Sequence, residues 1–258
     1  MKLAIHAEWT KVRTAGGTCW LLLAAVVLTI ALSAAAAAGV SCSSSACDQD
    51  AVKISLTGVY LGQLVIAILA VTAVGSEYGS GMIRTTFAAM PRRHLVLVAK
   101  AVLVCGGALV AGVFGVLGSV AAGRLILPGK GFTAAHGYST LSLVDGATLR
   151  AAGGTVLYLA LIGLLAVGVA AITRDSAVAI GLVFALLFLF PLITASVNDG
   201  HLQRHLEQIS PMNAGLAIQA TVNLSGLVIN PWAGLGVLTL WALCALVIGG
   251  ATMQLRDA

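Results

Sequence analysis

Few residues in this chain of 258 have the type and spacing for chemistry. His201 and His205 stand four apart in HLQRHLE, with Glu207 close by. That spacing puts two imidazoles on one face of a helix. A zinc protease of the HExxH kind needs Glu directly after the first histidine, and Leu202 stands there instead. The pair therefore reads as part of an amphipathic helix in a loop, and His6, His94 and His136 are isolated. Cys42 and Cys47 share the polar loop CSSSAC. They form either a local disulfide, if the loop faces an oxidising compartment, or a pair of free thiols. As zinc ligands they leave a tetrahedral site two short. Cys19, Cys105 and Cys244 lie in apolar stretches and read as small packing residues. No GxxxxGK[ST] occurs, so the chain does not cradle nucleotide phosphates by that device. The reading is of a chain with no catalytic group, metal or cofactor of its own.

The charged residues that remain are concentrated. Glu77, Arg84, Arg92, Arg93 and Lys100 fall in VGSEYGSGMIRTTFAAMPRRHLVLVAK, residues 74–100, between stretches that carry no formal charge. To see what positions them, the rest of the chain must be read first. Charged residues are 9% of the total and hydrophobic residues 59%. An ordinary soluble protein has about 25% charged residues, so this one lacks the polar groups to cover a water-facing surface. Mean hydropathy is +1.03. An all-α polytopic membrane protein with a single transmembrane domain, residues 1–258, is expected. The net charge of +5 needs no nucleic acid, because cytoplasmic loops rich in Lys and Arg produce the same excess. No basic patch is interleaved with aromatic residues as a nucleic-acid surface would be.

A helix needs about 20 apolar residues to cross a bilayer. Six segments qualify: 18–39, 56–74, 95–123, 149–172, 177–197 and 232–253. Pro191 should kink the fifth near its outer end. The first follows Lys2, Lys11 and Arg13 and precedes AAAAAGVSC, as a signal peptide would. Its apolar core is too long for one, and it is expected to stay as a span. Placing the N-terminus inside puts nine of the Lys and Arg residues on the cytoplasmic side and five on the other. Both termini and residues 75–94 are therefore expected in the cytoplasm. The outer loops, 40–55, 124–148 and 198–231, are longer. Gly58 and Gly62 make a GxxxG in the second span, read as close packing within the chain rather than as a dimer contact. The spans hold almost no ionisable groups. Lys100 and Arg150 are read as snorkelling from span ends, and Gln63 is the main amide at depth.

The charged stretch then reads as a short cytoplasmic element. Gly75, Gly79 and Gly81 are expected to turn the backbone out of the membrane. Met82, Ile83, Thr86, Phe87 and Met90 share one face of a short helix, which Pro91 ends. Arg92 and Arg93 follow at the membrane surface. Such a helix either lies on lipid headgroups, with its arginines as topology anchors, or docks on a partner protein.

EYGSGMIRTTFAAMPRRHLVLVAK resembles the segment after the second span in bacterial ABC exporter permeases of the type-2 class, especially the small six-span permeases of high-GC Gram-positive bacteria. The matching positions are Glu77, Gly81, Arg84, Thr85, Thr86, Pro91, Arg92, Arg93 and Lys100. AEWTKVRT, residues 7–14, resembles that family's amphipathic connecting helix, and TRDSAVAI, residues 173–180, its tight turn between spans four and five. The resemblance covers most of the chain. It implies that Glu77, Met82, Ile83, Arg84, Phe87, Pro91, Arg92 and Arg93 form a coupling helix that inserts into a groove on a separate P-loop ATP-binding subunit. Met82, Ile83 and Phe87 would be the docking surface. Glu77 and Arg84 would pair with each other or, as we prefer, act separately. It further implies two permeases, identical or related, with two ATPases, export by alternating access, and short helices in 198–231 that cap the pathway. ATP and Mg would be bound by the partner alone, and the site would be a bacterial plasma membrane. Spans lined by Ala, Val, Leu and Gly suit apolar or amphipathic cargo such as drugs, lipids or hydrophobic peptides, with drug or peptide resistance as a role. The competing readings are a non-transporting scaffold or sensor subunit, and a lipid-modifying membrane enzyme, which the lack of paired polar groups disfavours.

Overall fold

The computed structural model describes residues 9–10, 16–42, 49–79, 93–134, 138, 141–197 and 199–256, the side chains of Arg93 and His94 excepted. The described residues form helices joined by turns, with no strand among them. Among the described residues six helices are long and apolar enough to cross a membrane. They are α1 (Gly16–Gly39), α3 (Val59–Gly79), α4 (Arg93–Ile126), α5 (Gly146–Thr173), α6 (Ser176–Ser196) and α9 (Pro231–Arg256). Among the described residues three short α-helices lie between them: α2 (Ala51–Ser55), α7 (Gly200–Ile209) and α8 (Pro211–Leu216). The chain is an all-α polytopic membrane protein. Each span is apolar all round, as a helix surrounded by lipid and other helices must be. Trp20 and Trp232 are both exposed near the N-terminal ends of their spans, at the level where an aromatic belt belongs.

Span α5 is the hub. It packs against α3, α4, α6 and α9. In its most apolar stretch 72% is buried, against 22% for α1 and for α6, which sit at the periphery. Its start is set by Asp145, whose carboxylate accepts from the Thr148 amide at 3.1 Å and the Thr148 hydroxyl at 3.0 Å. Those bonds hold the Asp145 carboxyl below the usual carboxylate range. Its end is set by Arg174, which caps the helix in the left-handed region at φ 60°.

The GxxxG packs inside the chain. A Cβ at Gly58 would overlap the Thr29 carbonyl oxygen, and one at Gly62 would overlap the Thr29 hydroxyl. The Gly58 amide donates to Ser33 Oγ at 2.9 Å. So α1 and α3 meet through missing side chains, as small residues allow between membrane helices. Pro191 lies inside α6, and the helix continues to Ser196.

The second span differs from expectation at both ends. It begins at Val59, because residues 51–55 fold into the separate helix α2, capped by Asp50. It runs on to Gly79, so Gly75 and Gly79 are helical and do not turn the chain out of the membrane. Gly75 instead faces the start of α6, where a Cβ would overlap Ser176 Oγ. Glycine costs a helix about 1 kcal/mol relative to alanine, and close packing against a neighbouring span outweighs that here. Gly81 lies outside the described residues.

Candidate functional site

Extending α3 carries Glu77 into the bundle. Glu77 is 3% exposed and Lys100 of α4 is 4% exposed. Lys100 Nζ donates to Glu77 Oε1 at 2.8 Å and to the Ala73 carbonyl at 3.0 Å. The expectation that Lys100 snorkels is therefore overturned: its amine turns inward to a carboxylate and a carbonyl rather than out to water. A buried charge is tolerated only when paired and hydrogen-bonded, and each of these two supplies that for the other. Glu77 thus pairs across to α4, and Arg84, the other partner considered for it, lies outside the described residues.

The next residue makes a second tie. The Arg174 guanidinium carbon lies 5.7 Å from the centroid of the Tyr78 ring, within cation–π range. Arg174 Nη2 also donates to the Thr252 carbonyl of α9 at 2.9 Å. The last turn of α3 therefore touches α4 through Glu77, the α5–α6 turn through Tyr78, and the start of α6 through Gly75. Arg174 extends that set to α9. Residues 80–92 connect this turn to α4.

Met82, Ile83, Arg84, Phe87, Pro91 and Arg92 lie outside the described residues. Arg93 is the first residue of α4, with its side chain outside them as well. Trp9 and Thr10 are helical, and the rest of 7–14 lies outside. Of the expected coupling residues, the structure therefore locates the side chain of Glu77.

At the other end of the bundle a second polar cluster closes the fold. Residues 210–220 leave α7 and turn inward, where Met212, Ala214, Leu216, Ile218 and Gln219 are buried. Gly154 of α5 and Gly215 make room: a Cβ at Gly154 would overlap the Ile218 side chain, and one at Gly215 would press on the Tyr158 ring at 2.7 Å. Gln63, fully buried, accepts from the Tyr158 hydroxyl and directs its amide at the Met212 sulfur, 3.5 Å away. Gln219 Nε2 donates to Thr155 Oγ1 at 3.2 Å. Arg150 Nη2 donates to the Ala220 carbonyl at 2.6 Å, so this arginine, too, bonds within the protein.

Asp50 fastens the end of this segment from outside. Its carboxylate accepts from the Thr221 amide at 2.5 Å, the Thr221 hydroxyl at 2.7 Å, the Val222 amide at 3.2 Å and the Lys53 amide at 3.0 Å. Asp50, Tyr158 and Gln219 were not singled out from sequence. Tyr158 and Gln219 are polar residues in apolar runs, which is the signal that finds them. Asp50 shows only as a helix cap ahead of AVKIS, and nothing in the sequence pairs it with residue 221.

Cys42 is disulfide-bonded, and its amide donates to the Lys130 carbonyl at 2.8 Å. Cys47 lies outside the described residues. His201 and His205 share one face of α7 with ring centroids 4.5 Å apart. Among the described residues no group of three His, Cys, Asp or Glu is placed to hold a metal ion.

No family model matches this chain, and no curated protein sequence matches it.

Proposed function

We propose that this protein is the membrane-spanning subunit of an ATP-driven exporter of the type-2 ABC class. It works as a homo- or heterodimer with a separate P-loop ATPase, which binds ATP and Mg and does the hydrolysis. The observation that carries the reading is the buried Glu77–Lys100 pair at the base of residues 80–92. A push on that loop reaches α3 and α4 together, because the pair ties their ends. Through Tyr78 and Arg174 it also reaches the α5–α6 turn and α9. The buried segment 210–220, lodged at the far end of the same bundle, supports a cap over the pathway.

On this reading both termini are cytoplasmic, in a bacterial plasma membrane, and the cargo is hydrophobic or amphipathic. The chain performs no chemistry. It alternates between inward- and outward-facing states, and nucleotide drives it because the ATPases prefer one of the two. Phe87, one of the apolar residues of that loop, is assigned to the docking surface.

The test is co-purification from the native host in mild detergent, with mass spectrometry of the bound proteins. A P-loop ATPase in near-equal amount, lost with Phe87→Asp while the protein still inserts, supports the proposal. A folded protein that brings down no ATPase refutes it.

A further inference from the structure

Helix α7 has two sides with different fates. Its polar side is used by the protein. Gln208 Nε2 donates to the Val228 carbonyl at 3.1 Å, and Gln203 bonds Glu207 within the helix at 3.3 Å. The Ile209 carbonyl accepts from the Trp241 indole of α9 at 3.0 Å. Its apolar side is largely uncovered, with Leu206 half-buried between two exposed residues. Leu202, Leu206 and Ile209 recur at the spacing of one helical stripe, yet no residue of α7 is buried, and Leu202 and Ile209 are 48% and 53% exposed. Arg204 lies on the opposite side of the helix from that stripe, and the two histidines lie together along one edge of it.

The position of the helix says what covers it. Span α6 ends at Ser196 and α7 begins at Gly200. Four residues of chain reach at most about 14 Å, so α7 begins in or just above the interfacial layer of the leaflet opposite both chain ends. The last two turns of the preceding span likewise expose apolar residues, Leu189 and Leu192. Trp232, exposed in the first turn of α9, marks the membrane level at which that span begins.

We infer that α7 is a membrane-contact surface, lying in the interface of that leaflet with Leu202, Leu206 and Ile209 seated at the headgroup–acyl boundary. Interfacial helices of this kind bury an apolar face about 5–10 Å into that boundary while the polar face stays in water. The inference requires six spans and does not depend on the transport reading. It makes residues 200–209 a lipid-held arm that leads directly into the buried segment 211–219.

The experiment is spin-label accessibility on the full chain in nanodiscs of mixed zwitterionic and anionic lipid. Cys19, Cys105 and Cys244 are replaced by alanine and the Cys42 disulfide is kept. Leu202→Cys and Ile209→Cys are labelled in turn, with Leu192→Cys as the lipid-facing reference and Arg204→Cys as the opposite face. The expected result is that labels at 202 and 209 collide with oxygen more than with a water-soluble nickel chelate, as at 192, and that 204 shows the reverse. Nickel-favoured collisions at 202 and 209 place the stripe in water and overturn the inference. Shielding from both reagents also overturns it, by showing protein cover such as a second copy. Hydroxyl-radical footprinting of the unsubstituted protein in nanodiscs repeats the test without labels. Oxidation of His201 and His205 with protection of the leucines and Ile209 agrees, and uniform oxidation along α7 refutes it.

Discussion

Lys100→Met removes the cation from a carboxylate that has little access to water. Glu77 is 3% exposed, so water cannot replace the lost partner. The hydrogen bond to the Ala73 carbonyl goes at the same time. Removing one member of a buried ion pair costs about 3–5 kcal/mol, because the remaining charge is left uncompensated. Replacing both members by apolar residues of similar size is often neutral or stabilising by about 1–4 kcal/mol, since the desolvation of two charges is then avoided. The expected order is therefore Lys100→Met far below the parent, with the double variant Glu77→Leu/Lys100→Met close to the parent or above it. The assay is equilibrium unfolding in mixed micelles, followed by a probe of tertiary structure. If Lys100→Met unfolds within about 0.5 kcal/mol of the parent, the ordinary range of a surface substitution, the pair is not buried as described. If the double variant is as unstable as the single one, the loss arises from packing and not from charge. On the proposed transport reading, the double variant is expected to fold and yet lose nucleotide-driven transport, because the proposed tie between α3 and α4 is gone.

Three further outcomes follow from the same geometry. Tyr158→Phe strips the hydroxyl donor from Gln63 inside the bundle and is expected to cost about 1–3 kcal/mol, read by the same unfolding assay; an unchanged stability contradicts the buried bond. Gly58→Leu drives a side chain into the Thr29 backbone of α1, and is expected to separate α1 from α3, detected as loss of cysteine cross-linking between the two helices. Asp50→Ala removes the acceptor of three bonds from residues 221 and 222. It is expected to speed amide exchange of residues 214–222 while α5 stays protected, and equal acceleration in both would mean a general loss of fold.

The span boundaries were readable because they rest on local composition. A run of about 20 apolar residues has few alternatives to a membrane helix, and five of the six spans lie within a few residues of expectation. The second is the instructive miss. Glycines 75 and 79 and the charge of Glu77 all argued for ending it at residue 74. Two of those features have a partner far along the chain, Ser176 for Gly75 and Lys100 for Glu77, while Gly79 faces open space. A local rule treats an acid and two glycines as exits from the membrane. With their partners in place Glu77 and Gly75 become parts of its interior, and Gly79 merely ends the helix. The GxxxG was read correctly as internal packing, although only the structure names Thr29 as what it packs against.

The amino-acid sequence by itself determined that the chain is helical, that it crosses a membrane, and where most of the crossings fall, because burial in lipid forces each span to satisfy its own backbone and to be apolar along its length. The pairing of residues across the fold came only from the tertiary structure. Glu77 with Lys100, Gln63 with Tyr158 and Asp50 with Thr221 are 23, 95 and 171 positions apart. In spans made mainly of Ala, Val, Leu and Gly, the apolar pattern is nearly the same on every face. It therefore does not specify which faces meet, and the few polar groups acquire their meaning when packing brings them together.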